Sequence, residues 1–180
     1  LAVLPSYRLS ASINVAAALL TFLAALSLFF FGRPQAGPYL LVDDLNNVFI
    51  VLTTFVGFTT SVFSASYIEP ELEIGRLTPI FLRFYHAMYQ VLMFALNLAL
   101  VTNNIGVMWV AIELATLTTV MMVGIYRTHE ALEAAWKYFI LGSVGIALAL
   151  FGTILVYMAA QPAIGEGLDS MVWTTLMAHA

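Results

Sequence analysis

IGVMWVAIELATLTTVMMVGIYRTHEALEAAWKYFILGSVGIALALFGTILVYMAA, residues 105–160, decides the fold. Two apolar runs flank a short polar turn centred on Arg127. A helix rises about 1.5 Å per residue, so roughly twenty such residues cover the 30 Å or so of hydrocarbon in a bilayer. Lipid offers no partner to backbone N–H and C=O groups, so each run has to close its own hydrogen bonds as a helix. The strict alternation that a closed barrel would need is absent.

Outward from this stretch the pattern repeats. Spans are expected at 9–32, 45–68, 79–101, 105–126 and 131–160, an all-α polytopic bundle of about five transmembrane helices. All six prolines (Pro5, Pro34, Pro38, Pro70, Pro79 and Pro162) fall at or outside those limits, where a missing amide donor does no harm. The last run exceeds one crossing, so its first turns are expected at the interface with Trp136 and Tyr138 as anchors, and 161–180 reads as a loop. Leu1 stands where a methionine would open a chain, and 1–7 reads as the interfacial end of something upstream, so the start is expected to be truncated. No signal peptide is recognisable.

The composition agrees. Hydrophobic residues make up 62% and charged residues 9% of the chain, with a mean hydropathy of +0.98, against about 25% charged in a soluble domain. A net charge of −4 with no basic tract argues against nucleic acid as a partner. Without cysteine the chain makes no disulfide and holds no iron–sulfur cluster through thiolates. His86 is the only histidine inside an expected span, so a haem held by two histidines is not expected. No metal or cofactor is expected on this chain, and any electron chemistry must sit elsewhere.

Arg8, Arg76, Arg83 and Arg127 fall at the end of the bundle that holds the amino terminus, against Arg33 at the other, which places the start of the chain in the cytoplasm. Most other charges, Asp43 and Asp44, the 69–76 cluster, Glu130, Glu166 and Asp169, are explained by solvated loops. Two are not. Glu113 lies roughly 12 Å along its helix, beyond the reach of a snorkelling carboxylate. A central acid costs about 2.5–3.5 kcal/mol to insert, so it is protonated, meets a cation or lines a hydrated cavity. Each state makes it a candidate proton carrier; the plainer alternative is a neutral acid pinned to a neighbouring helix. Thr116 and Trp109 share its face, so Thr116 offers a hydroxyl one turn away.

Lys137, at the head of the last span, has Glu133 four residues earlier, and an ordinary ion pair explains it as readily as a pathway does. Counted from the shared turn, Lys137 is about 9 Å deep and Glu113 about 20 Å, so direct contact is not expected. Arg83, His86, Gln90 and Asn97 form a polar stripe along one helix face that lines water or bonds between helices. Small residues in the last span, Gly142, Gly145 and Gly152 among them, suit close helix packing. Thr53, Thr54, Thr59, Thr60 and Ser61 either wet a pathway or bond their own backbone.

A tryptophan-preceded glutamate, a short basic turn and a lysine at the head of the next span resemble the antiporter-like proton-translocating subunits of respiratory complex I, cation/proton antiporters and group 4 membrane-bound hydrogenases. NNIGVMWVAIELATL and GIYRTHEALEAAWKYFILGSVGIALALFGTILVY look most like the hydrogenase 4 membrane component F branch of that family. The resemblance implies a fold of about fourteen helices with inverted repeats. Residues 1–180 would then be the amino-terminal part of a proton-conducting domain, with the spans seen here as its second to sixth helices. It maps the essential transmembrane glutamate onto Glu113 and the sixth-helix lysine onto Lys137, with a further lysine partner beyond residue 180. It also places the start of the chain in the cytoplasm. It implies other membrane-arm subunits and a peripheral redox arm of hydrogenase or quinone-reductase type as partners, with protons or sodium moved through a prokaryotic inner membrane. The rival expectations are a purely structural anchor for that arm and a subunit of a stand-alone antiporter.

Overall fold

The computed structural model describes residues 7–31, 34–68, 70, 74–75 and 77–179. Residues 1–6 at the expected interfacial start, Arg33 and Arg76 of the charge count, and most of the 69–76 cluster lie outside these. Among the described residues five helices are long and apolar enough to cross a membrane, and the protein is an integral membrane protein. They are α1 (Tyr7–Ser27), α2 (Asp44–Tyr67), α3 (Pro79–Val101), α4 (Ile105–Val123) and α5 (His129–Ile164); a short α6 (Trp173–Ala178) follows. Among the described residues, β-structure is limited to two isolated bridges, Leu40 with Thr102 and Asn104 with Val172.

Local chemistry sets most of the ends. Asp43 accepts from the Asn46 amide at 2.7 Å and caps α2, and Asn104 Oδ1 accepts from the amides of Gly106 and Val107 at 3.0 and 3.1 Å to cap α4. Pro79 opens α3 at the position where its missing N–H costs nothing. Between α4 and α5, Arg127 turns the chain with a left-handed φ of 54°, and its guanidinium lies 4.4 Å from the Phe81 ring centroid.

Three expectations need correction. First, α1 stops at Ser27 rather than near 32, because the Phe30 and Phe31 amides both return to the Ser27 carbonyl in a tight turn. Second, α5 runs on to Ile164 and contains Pro162, which lies outside the expected span. Near a helix C-terminus a proline costs one amide bond and one local clash, and the helix ends two residues later. Third, the expected loop at 161–180 holds the end of α5, a 3₁₀ turn (Leu168–Met171) and α6.

α1, α2 and α3 pack together, while α4 bridges α3 on one side and α5 on the other. At the end that holds Tyr7, a cluster of Tyr7, Ala11, Ile68, Leu77, Leu82 and Ile125 ties the start of α1 to the end of α2, the start of α3 and the α4–α5 turn. Arg8, Arg83 and Arg127 therefore share one end of the bundle. α5 spans about 54 Å by its rise and, of its residues, only Ala135 is buried. Of its small residues, Gly142 meets Thr116, whereas Gly145 and Gly152 face open space.

The opposite end is joined by Asn103, at 1% exposure. Its amide donates to the Tyr39 carbonyl at 2.8 Å and its own carbonyl accepts from Trp173 N–H at 2.7 Å. Its side-chain Nδ2 donates to the Gly37 carbonyl at 2.8 Å and to Thr174 Oγ1 at 3.0 Å, and its Oδ1 accepts from the Thr174 amide at 3.2 Å. One side chain thus joins the α1–α2 loop, the α3–α4 turn and the tail.

Candidate functional site

α4 carries the candidate acid. Its Trp109 indole N–H donates to the Ile146 carbonyl of α5 at 2.9 Å, and its Thr116 methyl lies against Gly142 of α5. Glu113 falls between these two contacts on the same helical face and is half-buried. Glu113 Oε2 is buried and has no hydrogen-bond partner among the described residues. The Thr116 hydroxyl does not serve it, because it donates to the Ile112 carbonyl of its own helix at 3.1 Å. A buried carboxyl oxygen left open in this way is poised to take a proton, a water or a cation.

Lys137 sits elsewhere. Its Nζ lies 2.5 Å from Glu133 Oε1, with the two side chains 71% and 50% exposed. Gly124 packs near Ala135, so Lys137 stands near the last turn of α4, some three turns from Glu113. The intervening surface is apolar: Leu117, Val120, Trp136 and Phe139 line a cavity of about 670 Å³ whose charged wall residue is Arg127. Glu113 and Lys137 are not brought together among the described residues. An exposed i,i+4 pair contributes about 0.3–0.5 kcal/mol. Glu133→Gln is therefore expected to shift the thermal unfolding of the full-length protein by no more than a degree or two, read by a melting assay in detergent.

The polar stripe of α3 divides. Arg83 Nε donates to the Pro79 carbonyl at 3.2 Å on the exposed side, and Asn97 Nδ2 donates to the Met93 carbonyl at 2.7 Å. Gln90 bonds across helices, its Nε2 reaching Asn14 Oδ1 at 2.8 Å. His86 is fully buried, its ring centroid 5.6 Å from that of Tyr7 and 5.5 Å from that of Tyr85. The hydroxyls of Thr54, Thr59 and Ser61 bond carbonyls of their own helix. Among the described residues no group of three or more His, Cys, Asp and Glu is placed to hold a metal ion.

Residues 102–177, which hold Trp109, Glu113 and Lys137, match the family model described as NADH:quinone oxidoreductase/Mrp antiporter, TM. The chain belongs to the antiporter-like membrane subunit family. The Hydrogenase-4 component F homolog of Methylacidiphilum infernorum is 62% identical over 97% of this chain and 37% of its own length. NADH-quinone oxidoreductase subunit N 1 of Opitutus terrae is 32% identical over 82% of this chain and 28% of its own. The F(420)H(2) dehydrogenase subunit N of Methanosarcina mazei is 29% identical over 67% of this chain and 23% of its own. This antiporter-like chain spans well under half the length of these curated relatives.

Sequence reasoning on this antiporter-like chain missed Asn103 as the joint between distant segments, and Asn14 and Asn47 as buried amides. The available signal was an asparagine inside or at the edge of an apolar run, where an amide needs an internal partner.

Proposed function

We propose that the full-length protein is a proton-translocating, or cation/proton-exchanging, membrane subunit of a redox-driven complex. The reading extends to a group 4 membrane-bound hydrogenase or formate hydrogenlyase arm related to complex I, with residues 1–180 as the amino-terminal part of its conducting domain. The observation that carries it is Glu113: a buried carboxyl oxygen without a partner among the described residues, on the α4 face whose Trp109 and Thr116 meet α5. The 62% identity to a hydrogenase-4 component F homolog supports the branch. A positive charge brought near such a carboxyl favours its ionised form, and withdrawing that charge favours proton uptake. Glu113 loads and releases the proton; Lys137, already paired with Glu133, biases the site from the basic end rather than touching it.

Electron transfer belongs to partner subunits, namely other membrane-arm subunits and a peripheral redox arm. The basic end, with Arg8, Arg83 and Arg127, faces the cytoplasm of a prokaryotic inner membrane. A cysteine in place of Arg127 is then expected to resist an impermeant maleimide added outside intact cells and to react in inverted vesicles; the reverse pattern overturns the orientation. Glu113→Gln separates translocation from a purely anchoring role, since only translocation needs the titrating group.

A further inference from the structure

A second polar feature crosses the bundle away from Glu113. The inward faces of α1, α2 and α3 present Ser10 and Asn14, then Asn47, Thr54, Ser61 and Ser64, then His86, all buried. On α2 the residues Asn47, Thr54 and Ser61 recur every seventh position, so they stack on one side of the helix. From Asn47 to Ser64 this line extends about 25 Å, most of the hydrocarbon thickness of a bilayer. Contacts along the line show that the three helices close around it. Ser64 Oγ lies 3.2 Å from Tyr85 Oη, Tyr89 Oη donates to the Gly57 carbonyl at 2.5 Å, and Gln90 reaches Asn14 at 2.8 Å.

Polar residues between membrane helices act as glue when they satisfy one another. Among the described residues five atoms here do not: Asn14 Nδ2, both side-chain polar atoms of Asn47, and both ring nitrogens of His86. A neutral imidazole always carries one donor and one acceptor. The Tyr7 and Tyr85 rings beside His86 are aromatic contacts that satisfy neither. Thr54 and Ser61 spend their protons on carbonyls of their own helix, which leaves their oxygens free to accept within the seam. Buried polar atoms in proteins are paired with protein or with bound water, and water takes the sites where several such groups converge.

We infer that the α1–α2–α3 seam is a water-binding column running from the His86 level to Asn47, a polar route apart from the Glu113 face. The separation is geometric: Trp109 and Thr116 turn the Glu113 face toward α5, whereas Ala111 and Thr118 are buried on the far face of α4. The column goes beyond the proposed translocation role and stands whether or not Glu113 moves protons.

X-ray radiolytic labelling of the assembled complex in lipid nanodiscs, in water enriched in oxygen-18, tests the column without measuring translocation. Residues beside bound water are oxidised faster than like residues against lipid. Leu82, Met93 and Ile50 report on the two ends and the middle, with the outward-facing Leu148, Met158 and Ile140 as matched references. The expected result is several-fold faster labelling of all three seam residues than of their references. His86→Phe, which keeps a ring but removes both nitrogens, is expected to bring Leu82 down to the level of Leu148. His86→Gln, which keeps a donor and an acceptor, is expected to preserve its labelling, and co-purification of the complex verifies that each variant assembles. Seam residues labelled no faster than their references show dry glue and overturn the column. Faster labelling at one end alone also overturns it, as does a Leu82 rate indifferent to His86→Phe.

Discussion

Glu113→Gln in the full-length protein is expected to leave the complex assembled and to reduce redox-driven ion translocation by about two orders of magnitude, the lower range for losing a positioned proton-transfer group. Glutamine has nearly the same volume and still offers a carbonyl oxygen on the same α4 face, so the Trp109 to Ile146 bond and the Thr116 to Gly142 packing remain. What disappears is the capacity to bind and release a proton. The measurement is ΔpH formation by the purified complex in proteoliposomes, alongside electron-transfer turnover by the same preparation. Glu113→Asp, which keeps the carboxyl but draws it back by one methylene, is expected to retain part of the activity. Normal pumping by an assembled Glu113→Gln complex would remove this residue from the mechanism and leave the anchoring role.

Asn103→Ala is expected to produce the largest loss of stability of any single polar substitution at the non-basic end. It removes three side-chain hydrogen bonds at once, and it strands the Gly37 carbonyl and the Thr174 amide in a part-buried site. With roughly 1 kcal/mol per lost bond and a further penalty for stranded groups, about 3–4 kcal/mol is expected. Asn104→Ala, one residue on, removes only a helix cap and is expected to cost about 1 kcal/mol. The two variants are compared by thermal melting of the detergent-solubilised full-length protein and by limited proteolysis of the 34–43 loop. Equal effects for the pair would show that Asn103 does not join the three segments.

Much of the architecture could be read along the chain because lipid imposes a one-dimensional rule. A run of apolar residues without backbone partners becomes a helix, and its ends fall where polar or turn-forming residues allow. α3 begins and ends at the expected residues 79 and 101, with Pro79 at its first turn. α2 starts within a residue of expectation because Asp43 is a strong cap. The rule fails where chain ends are set by something other than hydropathy. α1 stops early at a backbone turn after Ser27, and α5 ignores Pro162 because a proline so near the C-terminus removes little.

The acid at Glu113 stood out for the same reason, since a carboxyl well inside an apolar run is conspicuous along the sequence. What it touches was not. Thr116 shares its face, yet a threonine hydroxyl in a helix finds the carbonyl four residues back more readily than a side chain beside it. Lys137 and Glu133 met because four residues along one helix fixes their separation whatever the neighbours do. His86, Asn14, Asn47 and Asn103 tell the opposite story. Asn103 joins Gly37 to Thr174, and Gln90 reaches Asn14, across intervals of 66 to 76 residues.

The chain by itself determined its solvent, its helical form, the five long apolar helices among the described residues and the position of Glu113 along α4, because each follows from local polarity and a fixed rise per residue. Only the tertiary structure decided which polar atoms are paired and which stay open at Glu113, His86 and Asn47. That outcome depends on how helices rotate and slide against one another, a balance of packing contacts that hydropathy along a single strand of sequence does not encode.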